Sequence, residues 1–215
     1  MAVHRGRRDL SRKKGALRER RRFLIYCEGE CTEDRYFKGL RSDLRGLPVE
    51  IRMGKQNGEP RSLIQAAIDH RRRAPSSRED RCMAYDEVWC VVDVEAPQPH
   101  PTLSDAMRLA RRNGVKIALT NPCFELWILL HFADVTAYAT SSQAQKRLEE
   151  YDVCGYSVRR KHLDYESLRG RFDDARNRAR SLRARAEGLP PGRSNPWTDV
   201  DFLVEILREA RHGRP

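Results

Sequence analysis

The sequence predicts an α/β fold, a parallel β-sheet flanked by helices, with a helical C-terminal portion. Three observations lead there. Short unbroken apolar runs, Phe23-Leu24-Ile25-Tyr26-Cys27 and Val88-Trp89-Cys90-Val91-Val92, have the form of strands buried on both faces. Helix-period segments alternate with strand candidates four times between residues 23 and 132, the signature of crossover connections in a parallel sheet. The remainder, from about residue 136, reads as helical.

The first strand stops at Glu28-Gly29. A helix is predicted from Thr32 to about Arg45, with Glu33 and Asp34 in its first turn to complement the dipole. Val49 to Met53 is the second strand. Pro60 opens a helix to about Arg73 that lines Leu63, Ala67 and Ile68 along one face, and a polar loop covers residues 74–81. The third strand, Glu87 to Val94, is β-branched and aromatic and turns polar only at its end, before Pro97, Pro99 and Pro101. Thr102 and Asp105 form a capping-box pattern for a helix to Arg112, Asn113-Gly114 turns the chain, and Val115 to Leu119 is the fourth strand. Asn121-Pro122 is expected to cap a buried helix reaching Phe132. Residues 141–151, about 164–187 and 198–211 suit helices, the last with Val200, Leu203, Val204 and Leu207 as its stripe.

The chain has 215 residues, enough to bury a core without disulfides or metals. Its 42 Lys and Arg against 31 Asp and Glu leave a formal charge of +11, which points to a polyanionic partner, RNA or DNA. Residues 1–22 hold ten of those cations and two acids, so they read as a basic arm, with Arg21 and Arg22 among its phosphate contacts. The division expected is arm (1–22), α/β core (23–135) and helical region (136–215) packed on the core. No apolar stretch approaches the ~18 residues of a membrane span, since Phe124 to Phe132 is short and carries Glu125 and His131. The Arg-rich start lacks the layout of a secretory signal, so a reducing, cytoplasmic setting is expected. Six cysteines, at 27, 31, 82, 90, 123 and 154, show no C-x-x-C spacing. They read as buried free thiols, with Cys27, Cys82, Cys90 and Cys123 in or beside apolar segments.

Ligands of an open parallel sheet meet the carboxyl ends of its strands. Glu28 closes the first strand, and Asp93 and Glu95 close the third, where strand alternation sends 93 and 95 to the same side. Three carboxylates there make a hard-oxygen site suited to Mg²⁺ or Mn²⁺, the equipment of metal-assisted phosphodiester chemistry. Gly29 lets a phosphate approach the backbone. Glu125, early in its helix, is either a fourth carboxylate or a dipole-matching acid. Arg160 and Lys161 are placed to neutralise a phosphate or simply to face solvent. His131 reads as a hydrogen-bonded core histidine, Trp127 as packing, and Asn121 as a cap or a fixer of the site loop. The seven arginines between residues 169 and 185 lie outside the Phe172, Ala175, Ala179, Leu182 stripe, free to meet phosphate or an acidic partner.

The run Cys27-Glu28-Gly29-Glu30-Cys31-Thr32-Glu33-Asp34-Arg35-Tyr36-Phe37, the strand ending Val92-Asp93-Val94-Glu95, the block Thr120-Asn121-Pro122-Cys123-Phe124-Glu125-Leu126-Trp127 through Leu130-His131-Phe132, and Asn195-Pro196-Trp197-Thr198 together resemble the RloB-like proteins. The resemblance implies a TOPRIM-like fold, a Rossmann-like α/β domain in which a strand-end Glu and an Asp-x-Asp pair bind Mg²⁺. It makes Glu28 a metal ligand or general base and Asp93 a ligand, with Glu95 replacing the usual second Asp. It also implies a nuclease acting in bacterial anti-phage defence by abortive infection, often beside an ATPase partner. Two readings compete, a Mg²⁺-dependent nuclease and a non-catalytic module that binds nucleic acid or protein; a third, primase-like nucleotidyl transfer, shares the acids but lacks an evident nucleotide-recognition motif. A homo-oligomer is compatible with both.

Overall fold

Alternation along the strands sets the architecture. The computed structural model describes residues 20–190 and 192–210, so most of the expected basic arm lies outside the described residues. The elements are β1 (Arg21–Cys27), α1 (Thr32–Asp43), β2 (Val49–Met53), α2 (Pro60–Arg73), β3 (Glu87–Asp93), α3 (Leu103–Arg112), β4 (Lys116–Asn121), α4 (Glu125–Leu129), α5 (Ser141–Tyr151), α6 (Phe172–Arg185), β5 (Trp197–Thr198) and α7 (Val200–Glu209). Sheet order is β2-β1-β3-β4-β5. The first four strands run parallel, and β5 pairs antiparallel with β4 through Thr120↔Thr198 and Asn121↔Trp197. The sheet is therefore mixed, with seven α-helices around it among the described residues. A two-residue strand carries no periodicity, which is why β5 is not legible in the sequence.

Phe23, Ile25 and Cys27 of β1, with Trp89 and Val91 of β3, face a core built with α1, α4, α5, α6 and α7. Leu24 and Tyr26, with Val88, Cys90 and Val92, face a second core beneath α2 and α3. Period-two alternation in strands covered on both faces gives this three-layer arrangement. Residues of the helical C-terminal portion, among them Phe172, Leu182, Leu203 and Leu207, belong to the first core. No helix among the described residues is long and apolar enough to cross a membrane.

Three local expectations are corrected. Thr102 makes no cap hydrogen bond at α3; its hydroxyl donates instead to Glu59, the side-chain cap of α2. Asn121 does not cap α4, which is only five residues long and has Phe124 at its N-cap. Cys31 and Cys82 are exposed, and the buried thiols are Cys27, Cys90, Cys123 and Cys154. His131 is 1% exposed, with Nδ1 2.9 Å from the Trp127 carbonyl, and Trp127 packs fully buried in the core.

Candidate active site

The carboxyl ends of β1 and β3 lie side by side, because Cys27 pairs with Val91 and the Glu28 N–H bonds the Val91 carbonyl at 3.2 Å. Glu28 follows Leu24 and Tyr26 in the alternation and so projects on the α2/α3 side of the sheet. Its Oε2 accepts the backbone N–H of Asp93 at 3.1 Å, and its Oε1 lies 2.8 Å from His100 Nε2. The loop after β2 clamps this corner: Asn57 Nδ2 donates to the carbonyls of Cys27 (3.0 Å) and Gly29 (2.9 Å), and the Gly58 N–H to that of Glu28. Burial raises the Glu28 carboxyl above its ordinary range, against the lowering effect of the Asp93 N–H and His100.

Asp93 follows Trp89 and Val91 and turns to the other face. One of its carboxylate oxygens, Oδ1, is buried with no hydrogen-bond partner among the described residues. Burial, then the negative charges of Glu33, Glu28 and Glu125, push its carboxyl well above the usual carboxylate range. Glu33, in the first turn of α1, is pushed up to about 7 by burial and by Glu125. Glu125 is buried and fixed by the hydroxyls of Tyr156 (2.8 Å) and Thr32 (3.2 Å). It therefore stands in the acidic cluster, and its hydrogen bonds come from side chains of two separate segments.

Alternation fails at Glu95. The β3 ladder ends at Asp93, and Glu95 takes a left-handed backbone conformation (φ +63°), uncommon for a non-glycine residue. Its side chain, 49% exposed, turns to His100, with 3.9 Å between Oε2 and Nε2. Glu28, Glu95 and His100 each bring one ligand atom within 4.8 Å of the others. The expectation that 93 and 95 share a side is thus corrected: there are two groups, Glu28–Glu95–His100 and Asp93–Glu33–Glu125, joined by the Glu28–Asp93 hydrogen bond.

Gly29 serves a different purpose from the one expected. Its N–H donates to Glu33 Oε1 at 3.0 Å, and a Cβ there would sit 2.3 Å from Glu33 Oε2. The close approach it permits is to a carboxylate, not to a phosphate. Lys161, left-handed at φ +48°, is near enough to Glu33 to act against the raising of its pKa, while Arg160 is exposed.

Arg21 and Arg22 belong to β1 at the amino end of the sheet, opposite the acids, and this corrects their assignment as phosphate contacts. Arg21 pairs with Glu87 at 2.6 Å. Arg22 is 2% exposed and donates to the carbonyls of Met83 (2.6 Å), Ala84 (3.0 Å) and Asp80 (3.2 Å). Four of the five arginines of α6 are likewise committed, Arg185 being exposed. Arg183 grips Asp201 through two nitrogens (2.6 and 2.7 Å), Arg176 and Arg180 share Glu205, and Arg178 bonds the Leu130 carbonyl.

The segments that build this edge, from β1 through α7, are those matched by a protein-family model described as RloB-like protein, over residues 23–207. The chain belongs to the RloB-like family. No curated protein and no solved structure matches it. In this RloB-like chain the motif asparagines act on the loops. Asn195 Nδ2 donates to Asn121 Oδ1 (3.0 Å), and Asn121 Nδ2 donates to the carbonyls of Gly192 (2.8 Å) and Ser194 (3.0 Å). Sequence reasoning missed His100, which stands alone among prolines, and saw Glu33 only as a dipole acid. The Glu-Gly-x-x-x-Glu spacing, which folds Glu33 back on Gly29, is the signal that was there to be read.

Proposed function

We propose that this RloB-like chain is a TOPRIM-type, divalent-metal-dependent nuclease that hydrolyses phosphodiester bonds of RNA or DNA at the carboxyl edge of its sheet. One observation carries the reading: five carboxylates and a histidine crowd one edge, and a buried Asp93 oxygen has no partner among the described residues. Like charges held together at a cost to themselves are what a cation site requires before it is filled. The donors fit Mg²⁺ or Mn²⁺: Glu28 and Glu95 would hold the ion together with His100, whose nitrogen favours Mn²⁺, while Asp93 adds its negative charge from the other face. When bound, such an ion lowers the pKa of a water and neutralises phosphate charge.

The chain's own groups do the rest. The Asp93 N–H and His100 orient Glu28, the Thr32 and Tyr156 hydroxyls hold Glu125, and Lys161 offers positive charge beside the acids. Family resemblance supports a wider role as an effector of bacterial anti-phage defence, with an ATPase as partner. The test is cleavage of labelled RNA and DNA oligonucleotides in Mn²⁺ and in Mg²⁺ by the protein and by Glu28→Gln. Cleavage lost in a folded variant supports the reading; undiminished cleavage overturns it. One observation favours the non-catalytic alternative, the divergence of Asp93 and Glu95, and that reading predicts salt-sensitive binding without turnover.

A further inference from the structure

Beside Glu95 and His100 opens a cavity of about 670 Å³ that no step above uses. Its volume lies within the roughly 300–1,000 Å³ of small-ligand sites. Pro97, Pro99, Leu103 and Met107 supply an apolar wall. Tyr138 stands over it and is 60% exposed, more than any other large hydrophobic side chain among the described residues. Arg111 and Arg193 also line it, both exposed, and neither side chain has a hydrogen bond or ion pair among the described residues. They contrast with the α6 arginines, which are all but used up internally. An apolar slot, an aromatic face and two uncommitted guanidinium groups complement a planar heteroaromatic ring that carries a phosphate.

The shelf that bears Tyr138 is tied down in advance. The Ala139 N–H donates to Asn195 Oδ1 (3.1 Å), Asn195 Nδ2 donates to the Ala139 carbonyl (2.8 Å), and the Ser141 N–H donates to the Ala96 carbonyl (3.1 Å). Preorganisation of this kind removes an ordering cost from binding.

The geometry points to a nucleobase pocket: it takes one unpaired base of a nucleic-acid strand, stacked on Tyr138, with the flanking phosphates on Arg111 and Arg193, and so presents the neighbouring phosphodiester to Glu28, Glu95 and His100. A base in a duplex is stacked on both sides and cannot enter, so the site selects single strands. This inference rests on the nucleic-acid reading of the carboxylate edge.

The test separates the two readings by working without metal. Fluorescence anisotropy in EDTA compares a labelled single-stranded decanucleotide, the same strand with abasic positions, its duplex, and a labelled mononucleotide. The expected result is preference for the intact single strand, weakened about tenfold or more in Tyr138→Ala, preserved in Tyr138→Phe, with duplex affinity unmoved. Equal binding of abasic and intact strands, an unchanged Tyr138→Ala, or a mononucleotide bound as tightly as the strand overturns it. Cleavage that persists while Tyr138 proves irrelevant removes only the pocket. Tyr138-dependent single-strand binding without metal-dependent cleavage supports the pocket and removes only the nuclease.

Discussion

Glu28 and Asp93 stand 65 residues apart in the chain and meet through one hydrogen bond, Asp93 N–H to Glu28 Oε2 at 3.1 Å. The bond crosses from β3 to the end of β1 and turns the Glu28 carboxylate toward His100, while the Asp93 side chain leaves by the opposite face. A single backbone donor thus links two groups of acids, one opening to solvent at Glu95 and the other backed by the buried Glu33 and Glu125.

The group of Asp93, Glu33 and Glu125 opposes the fold while its carboxylates are charged. Asp93→Asn is expected to stabilise the metal-free protein by about 1–2 kcal/mol at pH 8, because it removes a charge that burial and three acids disfavour. Urea unfolding in EDTA measures it, and a variant no more stable than the parent contradicts the account.

Mn²⁺ at a hundredfold excess over its dissociation constant is expected to stabilise the parent protein by about 2.7 kcal/mol, and so to raise its unfolding midpoint. EDTA should reverse the shift, and Glu28→Gln should abolish it. A thermal scan in which the variant gains as much as the parent rules out Glu28 as a ligand.

Arg22 is expected to matter for stability alone. Arg22→Met strands the carbonyls of Met83, Ala84 and Asp80 and leaves Glu50 with one fewer cation, a loss of about 2–4 kcal/mol. Oligonucleotide affinity should not change, since the side chain is buried at the far end of the sheet. Weaker nucleic-acid binding at unaltered stability would restore Arg22 to the basic arm.

His131 should make stability depend on pH. Burial lowers its pKa from 6.5 to about 4, so as pH falls the unfolded chain takes up the proton first. Its contribution is complete above pH 6.5 and fades as pH falls toward 4, a loss of about 3 kcal/mol. Glu33, raised to about 7, has the opposite slope, which cancels when the parent is compared with His131→Gln. Identical pH profiles for the two proteins would contradict the assignment.

Much of the fold was legible because strands buried on both faces are apolar without interruption: β1 and β3 stand out against a chain in which 34% of residues are charged. The edge holding Glu28, Asp93 and Glu125 was legible for the same reason, since polar residues appear only where such strands end. β5 was not, being two residues long, nor was the short α4, because an all-apolar run has no period to mark its length. Glu95 was misplaced because alternation holds only while the ladder continues, and its left-handed backbone breaks the rule two residues after Asp93.

By itself the sequence determined the α/β class, the family and the edge at which the acids gather, all of which follow from local pattern: runs, periods and motif order. Only the tertiary structure decided which acids face each other, that His100 joins Glu28, that Arg22 and four of the α6 arginines are spent inside the fold, and that Tyr138 lines a pocket. Those outcomes depend on contacts between residues distant in the chain, where a buried charge takes whichever partner packing brings within reach.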